Sequence, residues 1–439
     1  MHTNKKMKPQ KQGLCLPSAL ILLVLLVAAG CVDQIAFNVN NNLNAIIVEG
    51  RLTTADEPQT LKLFRARTDA LSGLVSLPLT GATVQLLVDG SETVIYTEDK
   101  NRPGYYALPE HFRGQTGKTY QLKFRLTDGA DYASEPEKLE AVAPMKNVNA
   151  TFNPAAEAIN GIGFNGFHEL YVDTQDPADQ RNFYSWEWVL YEKQEWCKSC
   201  VRGVYAVNKI LSGVYLEQRY FVSGNEPFED CFSPQSNWNS DWRMPPVPTT
   251  EWTYDYQCRT QCWQVFYSPT LNLFEDRLTN GGQILQRKVA KIPYYQYQGA
   301  LVELRQLSHT KDAYAYFRLF QQQTENNGGI TDTPPTALRG NISNVRDKKE
   351  TVVGYFAVSD VSIIRYWLDR RDTGNAVPPG LFNALMARAP SPEPSPSGGG
   401  PGGAAKILIS GGPPRVPTAL CIRSDSRTPE KPLGWVDNP

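Results

Sequence analysis

A regular series of short β-type runs is the feature of this 439-residue sequence that most limits how it can fold. Seven such runs lie within residues 45–140, and Gly, Asp and Pro separate them at roughly ten-residue intervals. Several runs alternate apolar and polar residues, as at Tyr120, Leu122 and Phe124, which is typical of a strand with one buried face. The spacing predicts an immunoglobulin-like or transthyretin-like β-sandwich over residues 45–145.

A larger β-rich domain is predicted over residues 148–370, where strand-like runs resume after a short linker. One segment, at about residues 310–326, has helical spacing instead, with apolar residues such as Phe317 on one face. Ser308 or Thr310 is a candidate N-cap, and a Gly-Gly pair is expected to end the helix. The predicted fold class is therefore mainly β, with a sandwich followed by a larger β-rich domain that has one clear helix.

Three stretches depart from this regular pattern. Residues 186–263 hold seven of the nine tryptophans and show little periodicity, which predicts a loop-rich insertion pinned by disulfides. Residues 387–406 are rich in Pro and Gly and cannot bury a core, which predicts a flexible loop. Residues 407–439 are a predicted tail that packs back onto the body, because Cys421 needs a disulfide partner.

The N-terminus has the parts of a secretory signal over residues 1–30: a lysine-rich start, an uncharged apolar core at 19–29 and small residues before Cys31. The apolar core is far shorter than the roughly twenty residues that span a bilayer. A cysteine directly after small residues resembles a bacterial lipobox, although Ala28 stands where a large apolar residue is usual. We therefore predict lipidation of Cys31, with residues 31–44 as a tether; an ordinary secretion signal is the alternative.

The charge balance excludes one class of partner. The chain carries 44 Lys and Arg against 45 Asp and Glu, and four of the lysines lie in the predicted signal. The mature protein is therefore mildly acidic, which offers no basic surface for nucleic acid. No second apolar run reaches spanning length, so we expect a soluble body held at the membrane by its N-terminus.

Six cysteines remain after Cys31, and an even number in an exported protein predicts disulfides. The spacings C-x2-C and C-x3-C leave two alternatives, a zinc site with four thiolates and a redox-active C-x-x-C pair. The sequence does not choose among the pairings. The candidates are Cys197, Cys200, Cys231, Cys258, Cys262 and Cys421.

Signatures of catalysis are absent from the sequence: it has no G-x-S-x-G, no H-E-x-x-H, no P-loop and no dinucleotide fingerprint. Three histidines remain in the mature chain, His111, His168 and His309, and we interpret each as a surface or capping residue. We predict no cofactor and no metal.

One acidic turn and one aromatic stretch are candidate binding sites. Asp173, Asp176 and Asp179 could supply oxygen ligands to calcium, but a polar turn between strands is the favoured interpretation. Tryptophans in the irregular stretch could stack on sugar rings or dock a peptide, or they could form a small core of their own. The aromatic residues considered for binding are Trp238, Trp242 and Trp252.

The order of several segments resembles a Bacteroidota lipoprotein family that is catalogued as a domain of unknown function. The resemblance rests on "IIVEGRLTT", "LTGATVQLLVDG", "CWQVFYSP", "LVELRQLSHTKDAYAYFRLFQQQTENNGGI" and the tail "KPLGW". It covers residues 31–370 and the tail. The family's tail usually has a second cysteine three positions after the first, where this chain has Ser424. That departure suggests that Cys421 pairs with the cysteines between 197 and 262.

The resemblance implies an outer-membrane lipoprotein, often encoded beside a TonB-dependent receptor, with no established catalytic residues. The leading hypothesis is a non-enzymatic accessory subunit of such a receptor, which aids substrate capture or assembly on the periplasmic or the surface side. A stand-alone surface lipoprotein that binds glycan or peptide is the alternative, and an unrecognised hydrolase is the third.

Overall fold

The computed structural model describes residues 44–69, 73–178, 180–211, 214–224, 253–325, 338–386 and 418–437. Several predicted features lie outside these residues: the signal, Cys31 and nearly all of the tether, the loop at 387–406, Cys231, Asp179, and the tryptophans Trp238, Trp242 and Trp252.

The protein is mainly β with one long helix, which confirms the predicted fold class. The first ten strands are β1 (Asn44–Thr53), β2 (Thr60–Asp69), β3 (Gly73–Pro78), β4 (Thr83–Val88), β5 (Glu92–Ile95), β6 (Thr97–Glu98), β7 (Tyr105–Ala107), β8 (Thr119–Arg125), β9 (Asp131–Ser134) and β10 (Glu137–Lys138). The next are β11 (Met145–Asn153), β12 (Glu157–Ile159), β13 (Ile162–Phe164), β14 (Phe167–Gln175), β15 (Phe183–Lys193), β16 (Trp196–Leu211), β17 (Val214–Gly224), β18 (Thr253–Cys258), β19 (Trp263–Tyr267), β20 (Asn272–Glu275), β21 (Gln283–Pro293) and β22 (Ala300–Ser308). The last are β23 (Ile342–Asn344), β24 (Val352–Ser359), β25 (Val361–Leu368), β26 (Thr418–Ala419) and β27 (Arg427–Thr428). The helices are α1 (Lys311–Glu325) and α2 (Leu381–Met386), and a 3-10 turn spans Asp276–Leu278.

Two six-stranded sheets form the first sandwich. One has the order β24-β1-β2-β7-β6 with β3 on β2, and the other has the order β23-β9-β8-β4-β5 with β10 on β8. The alternating pattern in β8 buries Tyr120, Leu122 and Phe124 between the sheets. Phe124 stacks on Tyr132 of β9, with ring centroids 4.7 Å apart. The period-two residues of the sequence therefore line one core.

The first sandwich is completed by strands from a distant part of the chain. β24 pairs in parallel with β1 from Ile46 opposite Val352 to Thr53 opposite Ser359, and β23 pairs with β9. We expected these late strands in the second domain, so the sandwich is not the continuous segment 45–145. Phe356 of β24 is fully buried in the sandwich core. A strand's pattern shows that a face is buried, but it does not show which sheet the strand joins.

The second sandwich packs sheet β11-β14-β21 against sheet β25-β22-β15-β19-β27, with β20 also on β15. Side chains such as Trp186, Leu190 and Val302 fill the space between them. α1 begins after Thr310, whose hydroxyl accepts the N–H of Ala313 at 3.2 Å, as expected of an N-cap. The helix then packs on the first sandwich through β24.

The stretch 186–263 was predicted to be loop-rich, and for its described residues this prediction is wrong. Most of β15 lies in it and four more strands, β16 to β19, begin within it. The hairpin of β16 and β17 belongs to a four-stranded sheet with β18 and β26. The tail returns to this region, where Trp435 packs on Trp263 and Trp367, with ring centroids 5.6 and 5.0 Å apart. Among the described residues, no helix combines the length and the apolar character that crossing a bilayer requires.

Candidate functional site

A cleft of about 320 Å³ lies where the first sandwich meets the beginnings of β15 and α1. Its walls come from residues within three segments, 138–141, 180–183 and 308–311. Lys138, Arg181 and Lys311 are its cationic residues, and Glu140 is its carboxylate. Lys138 pairs with that carboxylate at 3.0 Å. The rim is therefore polar and carries more positive than negative side chains.

A buried serine–histidine pair lies next to this cleft. The hydroxyl of Ser185 on β15 and Nε2 of His309, one residue after β22, are 2.7 Å apart. The two residues meet because β15 and β22 are neighbours in the sheet, with Tyr184 opposite Ser308. Burial, aided by the charge of Arg51, lowers the pKa of His309 to about 4. The imidazole is neutral at pH 7, so its hydrogen bond with the Ser185 hydroxyl buries no charge.

This pair lacks two features of an activated nucleophile. A serine that attacks substrate must be accessible, and its histidine must be oriented by a third group. Ser185 is 2% exposed, and Nδ1 of His309 has no hydrogen-bond partner among the described residues. The carboxylate of Glu187 is held by Arg51 through two contacts of 2.6 and 2.9 Å. In this arrangement the hydrogen bond between the two residues links β15 to the end of β22 beneath the cleft.

Ion pairs join the two sandwiches beside the serine–histidine pair. Arg51 of β1 contacts Glu187 of β15, and Arg305 of β22 lies 2.7 Å from both Glu57 and Glu303. Burial opposes ionisation of Glu187, but Arg51 outweighs it and holds the pKa of that carboxyl below its usual range. These contacts fix the orientation of one sandwich on the other.

A buried glutamate connects the rim of the cleft to α1 and β24. Glu137 accepts hydrogen bonds from Thr310 at 2.5 Å, from Asn341 at 3.2 Å and from the hydroxyl of Tyr355. Burial raises the pKa of Glu137 despite these donors. One carboxyl group thus holds three separate parts of the chain at the junction.

The disulfides expected from the sequence are confirmed for four cysteines. Cys197 bonds to Cys258, and Cys262 bonds to Cys421, with S–S distances of 2.05 and 2.13 Å. The pairing of Cys421 with the 197–262 cysteines is as the resemblance implied. The sulfur atoms of Cys197, Cys262 and Cys421 lie within 4.8 Å of one another. Because these cysteines are oxidised, they are not thiolate ligands for zinc. The side chain of Cys200 is outside the described part.

Two of the three histidine interpretations are wrong. His111 lies in an exposed turn, 3.1 Å from Asp56, as expected of a surface residue. His168 is fully buried and contacts Asp372 at 3.0 Å, because its strand β14 is the central strand of a covered sheet. His309 is 5% exposed because it directly follows β22, which lies between β25 and β15 in its sheet. Of the described tryptophans between 186 and 263, three are core residues, Trp186, Trp188 and Trp263, and the half-buried Trp196 packs on Phe382.

The acidic turn divides between two environments. Asp173 lies at the sheet surface, where it accepts the N–H of Gln286 at 2.8 Å and the amide of Asn147 at 3.3 Å. Asp176 turns inward and is 2% exposed. It meets Asp276, a residue that sequence analysis missed, because nothing in local spacing relates two carboxylates a hundred positions apart.

The chain matches a family model described as Domain of unknown function (DUF4249) over residues 32–365. This match covers more than half of the chain. The protein therefore belongs to that family. No curated protein matches it, and no solved structure matches it.

Proposed function

We propose that the protein is a lipoprotein of the bacterial outer membrane and a non-enzymatic accessory subunit of a TonB-dependent receptor. The observation that carries the anchoring is the apolar run that ends in small residues directly before Cys31. Acylation of the thiol and of the new N-terminal amine would supply two or three chains. At about 0.8 kcal/mol per buried methylene, that number of chains anchors a protein stably.

The start of the folded body is consistent with a tether between the anchor and the first sandwich. β1 begins at Asn44, which leaves residues 32–43 between the lipidated cysteine and the first strand. At roughly 3.3–3.6 Å per extended residue, this segment reaches at most about 40 Å. The body could therefore contact a membrane protein that projects beyond the lipid headgroups.

The accessory role is supported by the construction of the body. Ion pairs and the Glu137 contacts lock the two sandwiches at their junction, as suits a subunit that presents fixed surfaces. The serine–histidine pair next to the cleft is shielded from solvent. The likeness to lipoproteins often encoded beside TonB-dependent receptors points to the class of partner, and substrate capture or assembly is the role that such a subunit would serve.

The test is affinity purification of the full-length protein from gently solubilised outer membranes, with the tag after Pro439. We expect a β-barrel receptor in stoichiometric amount and an N-terminal fragment whose mass shows acylated Cys31. A Cys31→Ser variant is the matched control, and it should lose both the acyl mass and the receptor. Recovery of the acylated protein alone would refute the accessory role while leaving the anchor intact.

A further inference from the structure

Two aspartates face each other in the second sandwich without a compensating cation. Asp176, directly after β14, is 2% exposed, and Asp276, directly after β20, is 0% exposed. The turn after Asp276 returns to Asp176, which donates its N–H to the carbonyl of Gly282 at 3.0 Å and accepts the N–H of Gly281 at 3.1 Å, so the two carboxyl groups lie close together. Neither forms an ion pair with any Lys or Arg of the described chain. Two buried carboxylates at this separation repel each other strongly unless a cation or a proton lies between them.

The surrounding donors satisfy only part of this pair. Asp176 accepts the hydroxyl of Tyr184 at 2.7 Å and the N–H of Gly281 at 3.1 Å. Asp276 accepts the N–H of Asn182 at 2.8 Å through Oδ2. Its other oxygen, Oδ1, is buried and has no hydrogen-bond partner. One carboxylate oxygen is therefore left free inside the protein, where an unmet acceptor is costly.

Asn182, next to Asp276, has a second unpaired buried oxygen. Asn182 is 7% exposed, and its Oδ1 also has no partner. The N–H of Asp276 donates to the backbone carbonyl of Asn182 at 3.2 Å, and the N–H of Asn182 donates to Oδ2 of Asp276, so the two residues lie opposite each other just beyond the pairing of Phe183 with Glu275. Directly opposed residues of an antiparallel pair project to the same face. Tyr184, two residues on, shares that face and reaches Asp176. The side chain of Asn182 is therefore on the same face as those of Asp276 and Tyr184.

We propose that Asp176, Asp276 and Asn182 form a binding site for one hard divalent cation, Ca²⁺ or Mg²⁺. All three side chains offer oxygen, and oxygen-only donor sets are the ones that these ions prefer. Asn182 also lines the cleft, which gives the ion a path from solvent. Arg181 and Lys138 at that opening are paired with Glu275 and Glu140, which offsets two of the three cationic side chains of the cleft. The bound ion joins the end of β14 to the end of β20, so it braces the second sandwich beneath the cleft.

The test compares the full-length protein in detergent after chelation with EDTA and after addition of Ca²⁺ or Mg²⁺ alone. We expect one ion per chain by equilibrium dialysis and elemental analysis, and a higher melting temperature with the preferred ion. Asp276→Asn should weaken binding at least about tenfold, and it should melt higher than the wild type in EDTA because the repulsion is gone. Asn182→Ala removes one ligand without changing charge and should also weaken binding.

Asp173→Asn is the matched control, because this nearby carboxylate lies on the outer surface, and it should bind the ion as the wild type does. The proposal fails if neither ion is retained and neither raises the melting temperature.

Discussion

Replacing His309 tests the buried serine–histidine pair through its effect on acid stability. Burial lowers the pKa of this imidazole to about 4, against 6.5 for a free histidine. Below pH 6.5 the unfolded chain takes up a proton that the folded protein refuses, so the free energy of unfolding falls as the pH falls. Between pH 7 and 4.5 this single group should cost about 2 kcal/mol, and the loss is complete below about pH 4, at about 3 kcal/mol.

The assay is urea unfolding of the wild type and of His309→Gln at pH 7 and at pH 4.5, followed by tryptophan fluorescence. The glutamine keeps an acceptor for the Ser185 hydroxyl but does not titrate. The wild type should therefore lose about 2 kcal/mol more than the variant over this interval. His111→Gln, in an exposed turn, should lose as much as the wild type. Parallel losses in the wild type and in His309→Gln would show that the imidazole is not shielded from water.

Three further changes test how the two sandwiches and the tail are held together. A double-mutant cycle with Arg51→Met and Glu187→Gln, measured by urea unfolding, should give a coupling free energy of about 1–2 kcal/mol. The reason is that each single change leaves a partly buried charge without its partner. Gly354→Ala should destabilise the protein by about 2 kcal/mol or more in thermal unfolding, because the new methyl group meets the β1 backbone and the residue has a positive φ. Gly163→Ala places its methyl group in open space and should not destabilise the protein. Cys421→Ser should lower the free energy of unfolding, measured with urea, by about 2–4 kcal/mol. It should also make the tail cleavable by protease.

Each of these three has a result that would contradict it. A coupling near zero would mean that water screens the ion pair. Equal melting temperatures for the two glycine variants would mean that β24 is not held tightly on β1. A tail that resists protease after the loss of Cys421 would mean that the packing of Trp435 on its neighbours suffices.

Local patterns predicted which parts of the chain are strands and helix, because periodicity and capping act over a few residues. The alternation around Leu122 gave a strand with one buried face, and Thr310 caps α1 as its sequence context indicated. The Cys421 bridge followed from likeness to other tails, not from local physics. The strand and the helix cap depend on short stretches of sequence, and the Cys421 bridge depends on the family resemblance.

The features of the candidate site were not predictable in the same way. Ser185 and His309 are 124 positions apart, and only the pairing of β15 with β22 brings them together. β15 is buried on both faces: Trp186 and Trp188 lie in the core between the sheets, and Ser185 and Val189 of the other face are covered as well, so burial along this strand does not alternate. Tertiary neighbours, not propensity, decide such positions.

The parallel pairing of β24 with β1 bears on the order in which the chain can mature. At the end of this pair Thr54 hydrogen-bonds Asp360, 306 positions later. A nascent chain therefore has its first strand long before that strand's neighbour exists, and contacts of such separation form slowly. Until then β1 has an open edge that invites wrong pairing. If the protein is exported as we propose, this interval falls during translocation, and periplasmic chaperones would have to protect the N-terminal half until almost the whole chain has arrived.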